Sequence, residues 1–104
     1  MKSVLTAIVG AALGMAATSG TVFIIGADHA HCKQLIAQLM RLDEYKAIPH
    51  AKVDIINMEV SLWPQGQIRF RSKNDPAWDD KQRRLRGYPP GLPVLIDSHT
   101  YETE

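Results

Sequence analysis

Hydrophobic positions repeat with two different periods along the chain. Val4, Leu5, Ile8, Val9, Ala12 and Leu13 recur at helical spacing, with small residues between them, predicting a helix over about 3–19 that stops at Gly20. A helix this apolar around its circumference is expected to be covered on more than one side. Thr21-Val22-Phe23-Ile24-Ile25-Gly26 is a continuous run rich in β-branched and aromatic residues, the signature of a buried parallel strand. Asp28 is placed to cap a helix over about 30–43. That helix puts Cys32, Leu35, Ile36, Leu39 and Met40 on one face, and Pro49 ends any continuation.

The period then changes to two. Ile56, Met58, Val60 and Leu62 alternate with Asn57, Glu59 and Ser61. Pro64-Gln65-Gly66 is a turn signal, and Ile68 and Phe70 alternate with Arg69 and Arg71. This predicts a β-hairpin over about 53–71, with Trp63 in its core. Residues 72–91 read as loop with a short helical stretch at 79–86. Leu92 to Asp97 is a second buried strand ending in a carboxylate, and His99 to Glu104 reads as a frayed tail. Helix, strand, helix, hairpin, loop and strand in this order make a small layered α/β fold, one domain over 1–104.

The opening segment has a second reading. Lys2 followed by the apolar stretch Val4–Ala17 and small residues near Gly14 and Ala16 also fits a signal peptide over 1–17. Such a chain would be a small secreted or periplasmic binding protein. The helix reading is preferred because a core strand begins directly after the segment.

Composition narrows the classes. The chain has 104 residues, 45% hydrophobic and 22% charged, with a net charge of +1. That balance argues against disorder and against a general attraction to nucleic acid or anionic membrane. A single cysteine, Cys32, excludes an internal disulfide framework, and no apolar run is long enough for a membrane span.

Several residues are candidates for chemistry. His29 and Cys32 lie three apart on the second helix, but a metal needs further ligands and nothing in the spacing of His50 or His99 supplies them; no metal site is assigned. Residues 69–86 hold seven basic residues against three acids, a local net of +4. Arg69, Arg71, Arg84 and Arg86 are therefore candidate contacts to phosphate or nucleic acid, with Trp78 and Tyr88 as stacking surfaces, and a solvated loop is the ordinary alternative. A small interaction protein using this loop is one function class. Asp97 ends an apolar strand, where open α/β sheets bind ligands. Lys2-Ser3 stands directly before the first helix, as the phosphate-binding lysine and metal-binding hydroxyl of a P-loop do.

Lys2-Ser3, the Ala-rich helix, the strand at 21–26, and the stretch from Ile68-Arg69-Phe70-Arg71 through Arg86-Gly87 to Val94-Leu95-Ile96-Asp97 come in a definite order. That order resembles the ATPase core of P-loop NTPases of the phage terminase large-subunit type, the motors that package viral DNA. The resemblance implies Lys2 and Ser3 as nucleotide-binding residues and Asp97, the Walker B acid, as the ligand of the nucleotide's metal. It also implies Mg-ATP as cofactor within a longer chain, packaging proteins and DNA as partners, and the host cytoplasm as location. The chain departs from the family pattern in two places: no glycine-rich arc precedes Lys2, and Ser98 stands where the family has a catalytic Glu, the next acid being Glu102. The resemblance thus implies a truncated, split or degenerate ATPase segment.

Overall fold

A computed structural model describes residues 4–89, 91–98, 100 and 101. Helix α1 (Val4–Ser19) leads into strand β1 (Thr21–Gly26), followed by α2 (His29–Met40) and a short α3 (Asp43–Lys46). Strands β2 (Lys52–Asp54), β3 (Glu59–Ser61) and β4 (Gln67–Ser72) come next, then β5 (Trp78–Asp79), β6 (Arg84–Leu85) and β7 (Val94–Ile96). Five of them form a mixed sheet in the order β2-β3-β4-β1-β7, and β5 and β6 pair separately. The central strand β1 runs parallel to both β4 and β7, while β2, β3 and β4 form an antiparallel meander.

Strand parity sorts the side chains onto two faces. Val22 and Ile24 of β1, Ile68 and Phe70 of β4, Val60 of β3 and Leu95 of β7 face the helices. They pack there with Val9, Ala12, Leu13 and Ala16 of α1 and Cys32, Leu35, Ile36 and Leu39 of α2. Phe23, Ile25, Val94 and Ile96 point to the opposite face, where Trp78 and Leu85 of the β5–β6 hairpin cover them. Beside that apolar half, β4 and β3 present Arg69, Arg71 and Glu59 instead, so the hairpin covers only part of the face.

The helix α1 is buried on one side only. Val9, Ala12 and Ala16 are fully buried, whereas Ala7, Ala11, Gly14 and Ala17 are exposed. Coverage on several sides is unnecessary because the outward residues are small and leave little apolar surface in water. The helix ends at Gly20, whose N–H donates to Ala16 O at 3.1 Å. The β3–β4 turn packs against this end so closely that a Cβ on Gly66 would lie 2.6 Å from Ala16 O, and Gly66 also holds φ +106°. Only glycine fits there.

Five local expectations are corrected. The second helix ends at Met40, not near 43, because Leu42 turns extended (φ −68°, ψ 137°) to reach the core before α3 begins. The alternation from 53 to 63 is not one strand: Asp54 accepts hydrogen bonds from Asn57 N–H (3.0 Å) and Asn57 Nδ2 (2.8 Å), closing a turn between β2 and β3. Ile56 sits at its tip, 90% exposed, instead of joining Met58, Val60 and Leu62. Trp63 is likewise outside the core, half exposed against the His50 ring. Residues 79–86 form the β5–β6 hairpin and not a helix, since the Asp79 carboxylate accepts from the Lys81 and Gln82 N–H groups and folds the chain back. Finally, the start of the tail is not frayed. Thr100 is fully buried, its hydroxyl donating to Ile25 O at 3.0 Å; His99 and residues 102–104 lie outside the described residues.

Candidate functional site at the carboxyl edge of the parallel strands

The carboxyl ends of β1, β4 and β7 meet at one edge of the sheet. The chain leaves β1 through Gly26-Ala27-Asp28 and turns at once into α2. Asp28 is the N-cap, its Oδ1 accepting from His31 N–H at 2.8 Å. Gly26 allows the close return: a Cβ there would lie 3.0 Å from Cys32 Sγ and 3.5 Å from His31 Nδ1. The first turn of α2 therefore lies directly on the end of β1.

Asp97 arrives at the same edge from β7. Its N–H extends the parallel ladder by donating to Ile25 O at 3.1 Å, and strand parity turns its side chain to the helix face, as for Leu95. The carboxyl is buried and meets the imidazole of His31, with Asp97 Oδ2 2.9 Å from His31 Nε2. The other ring nitrogen, Nδ1, accepts from Ala27 N–H at 2.9 Å. A nitrogen that accepts carries no proton, so the hydrogen-bond network assigns the ring's N–H to Nε2, where it donates to Asp97. The turn after Asp97 is locked by Thr100, whose N–H donates to Asp97 O at 3.0 Å.

The first turns of α1 reach this edge too. Ala7, Ile8 and Ala11 of α1 and Leu95, Ile96, Asp97 and Ser98 line one groove of about 320 Å³. The expected nucleotide-binding pair, Lys2 and Ser3, lies outside the described residues. The groove is apolar apart from its Asp97–Ser98 end.

The four candidate arginines are not gathered on this face. Arg69 and Arg71 lie on the opposite side of β4, in register with Phe23 and Ile25. Glu59 Oε2 is 3.0 Å from Arg71 Nη2 and 3.5 Å from Arg69 Nη1, and Arg69 also donates to Tyr88 OH at 2.9 Å and lies over its ring. Arg84 and Arg86 are exposed on and beside β6, with Arg86 3.8 Å from Asp79. Trp78 is buried under this hairpin and donates to Tyr101 OH at 3.0 Å, so its ring is core and not a free stacking surface.

Among the described residues no group of three His, Cys, Asp or Glu side chains, around His29 and Cys32 or elsewhere, is placed to hold a metal ion. Burial pushes the Cys32 thiol up to about 11, which keeps it protonated and a weak nucleophile near neutral pH. Sequence reasoning missed His31. The only local signal was its position in the first turn after the Asp28 cap, and nothing in the spacing to Asp97 announces the pair.

Among the described residues no helix is long and apolar enough to cross a membrane. No protein-family model, no curated protein and no solved structure matches the chain.

Proposed function

We propose that the chain is a segment of a P-loop NTPase core of the DNA-packaging terminase type, working in the host cytoplasm with other packaging proteins and DNA. One observation carries this reading: Asp97 and the first turns of α1 line the same groove at the carboxyl edge of a parallel β1–β7 pair. In such a core the helix start meets the phosphates and the strand-end carboxylate meets the metal.

The donor set suits that role. Magnesium bound with a nucleotide takes one or two protein carboxylates and keeps phosphate oxygens and waters for its other positions. Asp97 supplies one carboxylate, and the Lys2 and Ser3 side chains, next to the start of α1 in the sequence, are the candidates for phosphate and metal. Bound there, Mg-ATP would bring the electrophilic phosphoryl group and its charge-neutralising cation. The protein's own contribution is positional: His31 holds Asp97 Oδ2, Ala27 N–H holds the His31 ring, and Thr100 holds the turn. Ser98 has no carboxylate to orient an attacking water, so this segment binds nucleotide without efficient turnover.

Manganese with ATP tests the reading on the isotopically labelled chain. Paramagnetic broadening is expected at the amides of Asp97, Ser98, Ala7 and Ile8, and it should vanish in Asp97→Asn. Broadening that persists in that variant, or none at this edge, overturns the proposal.

A further inference from the structure

The five-stranded sheet has two unlike edges. At one, β2 is short and carries Lys52 and Asp54, both exposed, the kind of edge that discourages further pairing. At the other, β7 is wholly apolar, with Val94, Leu95 and Ile96 each only half-buried. The chain on either side of β7 turns back under the sheet. Leu92 joins the cluster of Phe23 and Trp78, and the Tyr101 hydroxyl reaches Trp78 and Asp80. Among the described residues nothing pairs with the outer side of β7.

The backbone of β7 alternates in direction. Pro93 O accepts from Phe23 N–H at 3.0 Å, and Asp97 N–H donates to Ile25 O at 3.1 Å. With Val94 beside Phe23 and Ile96 beside Ile25, Leu95 therefore turns both of its backbone groups to β1, and Val94 and Ile96 turn theirs outward. That pattern is complementary to itself. Take a second β7, antiparallel and related by a two-fold axis between facing Leu95 residues. Val94 of each copy then lies opposite Ile96 of the other, and each such pair exchanges both N–H···O=C bonds. Every outward group of the strand finds a partner. The rotation also keeps both helix layers on one side of the joined sheet. Leu95 of the second copy stands at the mouth of the groove between α1 and β7, where Ala7, Ile8 and Ala11 offer an apolar wall. Charge selects the occupant. The chain is 22% charged, yet no Asp, Glu, Lys or Arg occurs from Val4 to Gly26 or from Gly87 to Ile96. An identical copy therefore meets no like charge here, and a charged partner finds nothing to attract it.

We infer that β7 is the pairing edge of a symmetric dimer, in which two copies of this chain join their sheets through antiparallel β7 strands. The inference goes beyond the nucleotide reading and does not rest on it, and no nucleotide enters its test.

Sedimentation velocity of the whole chain over about a hundredfold range of concentration reads the association, and amide hydrogen exchange reads where it occurs. A concentration-dependent dimer is expected. The Val94 and Ile96 amides should exchange fast in the monomer and be protected in the dimer, with Leu95 and Asp97 protected in both. Leu95→Cys should give a disulfide-linked dimer under mild oxidation, because facing residues of a non-hydrogen-bonded pair lie within disulfide reach. Val94→Cys, which faces Ile96 of the other copy, should not. Val94→Lys puts a charge on the edge and should weaken association by about tenfold or more, with thermal melts establishing that it folds. A chain that stays monomeric throughout overturns the inference, as does a dimer whose Val94 and Ile96 amides still exchange fast. Protection already present in the monomer gives the edge to another segment of the chain, and undiminished association of the folded Val94→Lys variant places the contact elsewhere; either result overturns it too.

Discussion

His31 Nε2 lies 2.9 Å from Asp97 Oδ2, joining the first turn of α2 to the residue that follows β7. The contact ties together two ends of the fold that are remote in the chain, and it does so on a carboxyl withdrawn from water. A buried charge-assisted hydrogen bond holds geometry more than it adds net stability, but deleting one partner is costly. His31→Ala should therefore lower unfolding free energy by about 2 kcal/mol in urea titrations. A double-mutant cycle with Asp97→Asn should recover a coupling of about 1 kcal/mol, and strict additivity would show that the bond does not form in solution.

Two glycine substitutions should have opposite signs. Gly66→Ala places a Cβ against Ala16 O at 2.6 Å and forces a positive φ on alanine, so a loss of about 2 kcal/mol or more is expected. Gly14 lies on the exposed side of α1 with open space around it, and Gly14→Ala should stabilise by about 0.5–1 kcal/mol. Melting temperatures of the two variants, compared with the parent, decide this; a destabilised Gly14→Ala would contradict the exposure of that face.

The thiol of Cys32 sits under the α2 start with its titration raised by burial from an ordinary 9.0 to about 11. Alkylation by iodoacetamide at neutral pH should be far slower in the native than in the urea-unfolded chain. The linked stability has a definite sign: a raised folded value favours folding below pH 9, and that contribution is lost as pH rises through about 11. A native labelling rate equal to the unfolded one would place the thiol in solvent.

Asp80 is held below its ordinary range, chiefly by the hydroxyl of Tyr101 and further by Trp78 Nε1 and the charges of Arg83 and Lys73. Its contribution is present above the ordinary carboxylate value and disappears as pH falls through the lowered one. Tyr101→Phe should move the Asp80 carboxyl titration back upward, followed by carbon-detected NMR. No movement would mean that the hydroxyl does not make this bond.

The helix α1 supplies Val9, Ala12, Leu13 and Ala16 to the core. Leu13→Ala should cost about 2–4 kcal/mol. A chain lacking residues 1–17 exposes the helix face of β1 and β4, and it should lose the cooperative unfolding transition. A truncated chain that melts cooperatively near the parent would favour the leader-peptide reading.

Local chemistry in the sequence was enough for β1, for both long helices and for the Asp28 cap, because each depends on neighbours within a few residues: an unbroken apolar run, a 3.6-residue period, a side chain reaching its own helix start. It also placed Asp97 at the end of an apolar strand, although β7 is not the buried strand expected but a half-buried one at the sheet edge. What it misjudged were segments where short polar side chains redirect the backbone, as Asp54 does before Ile56 and Asp79 does after Trp78. A two- or four-residue periodicity cannot register a turn made by one carboxylate. The tertiary structure alone decided that β1 lies between β4 and β7, that loops leaving β1 and β4 part to opposite faces, and that His31 meets Asp97. Those relations depend on strand order, and strand order is chosen by the burial of whole faces against one another, a free-energy sum to which no single stretch of chain holds the key.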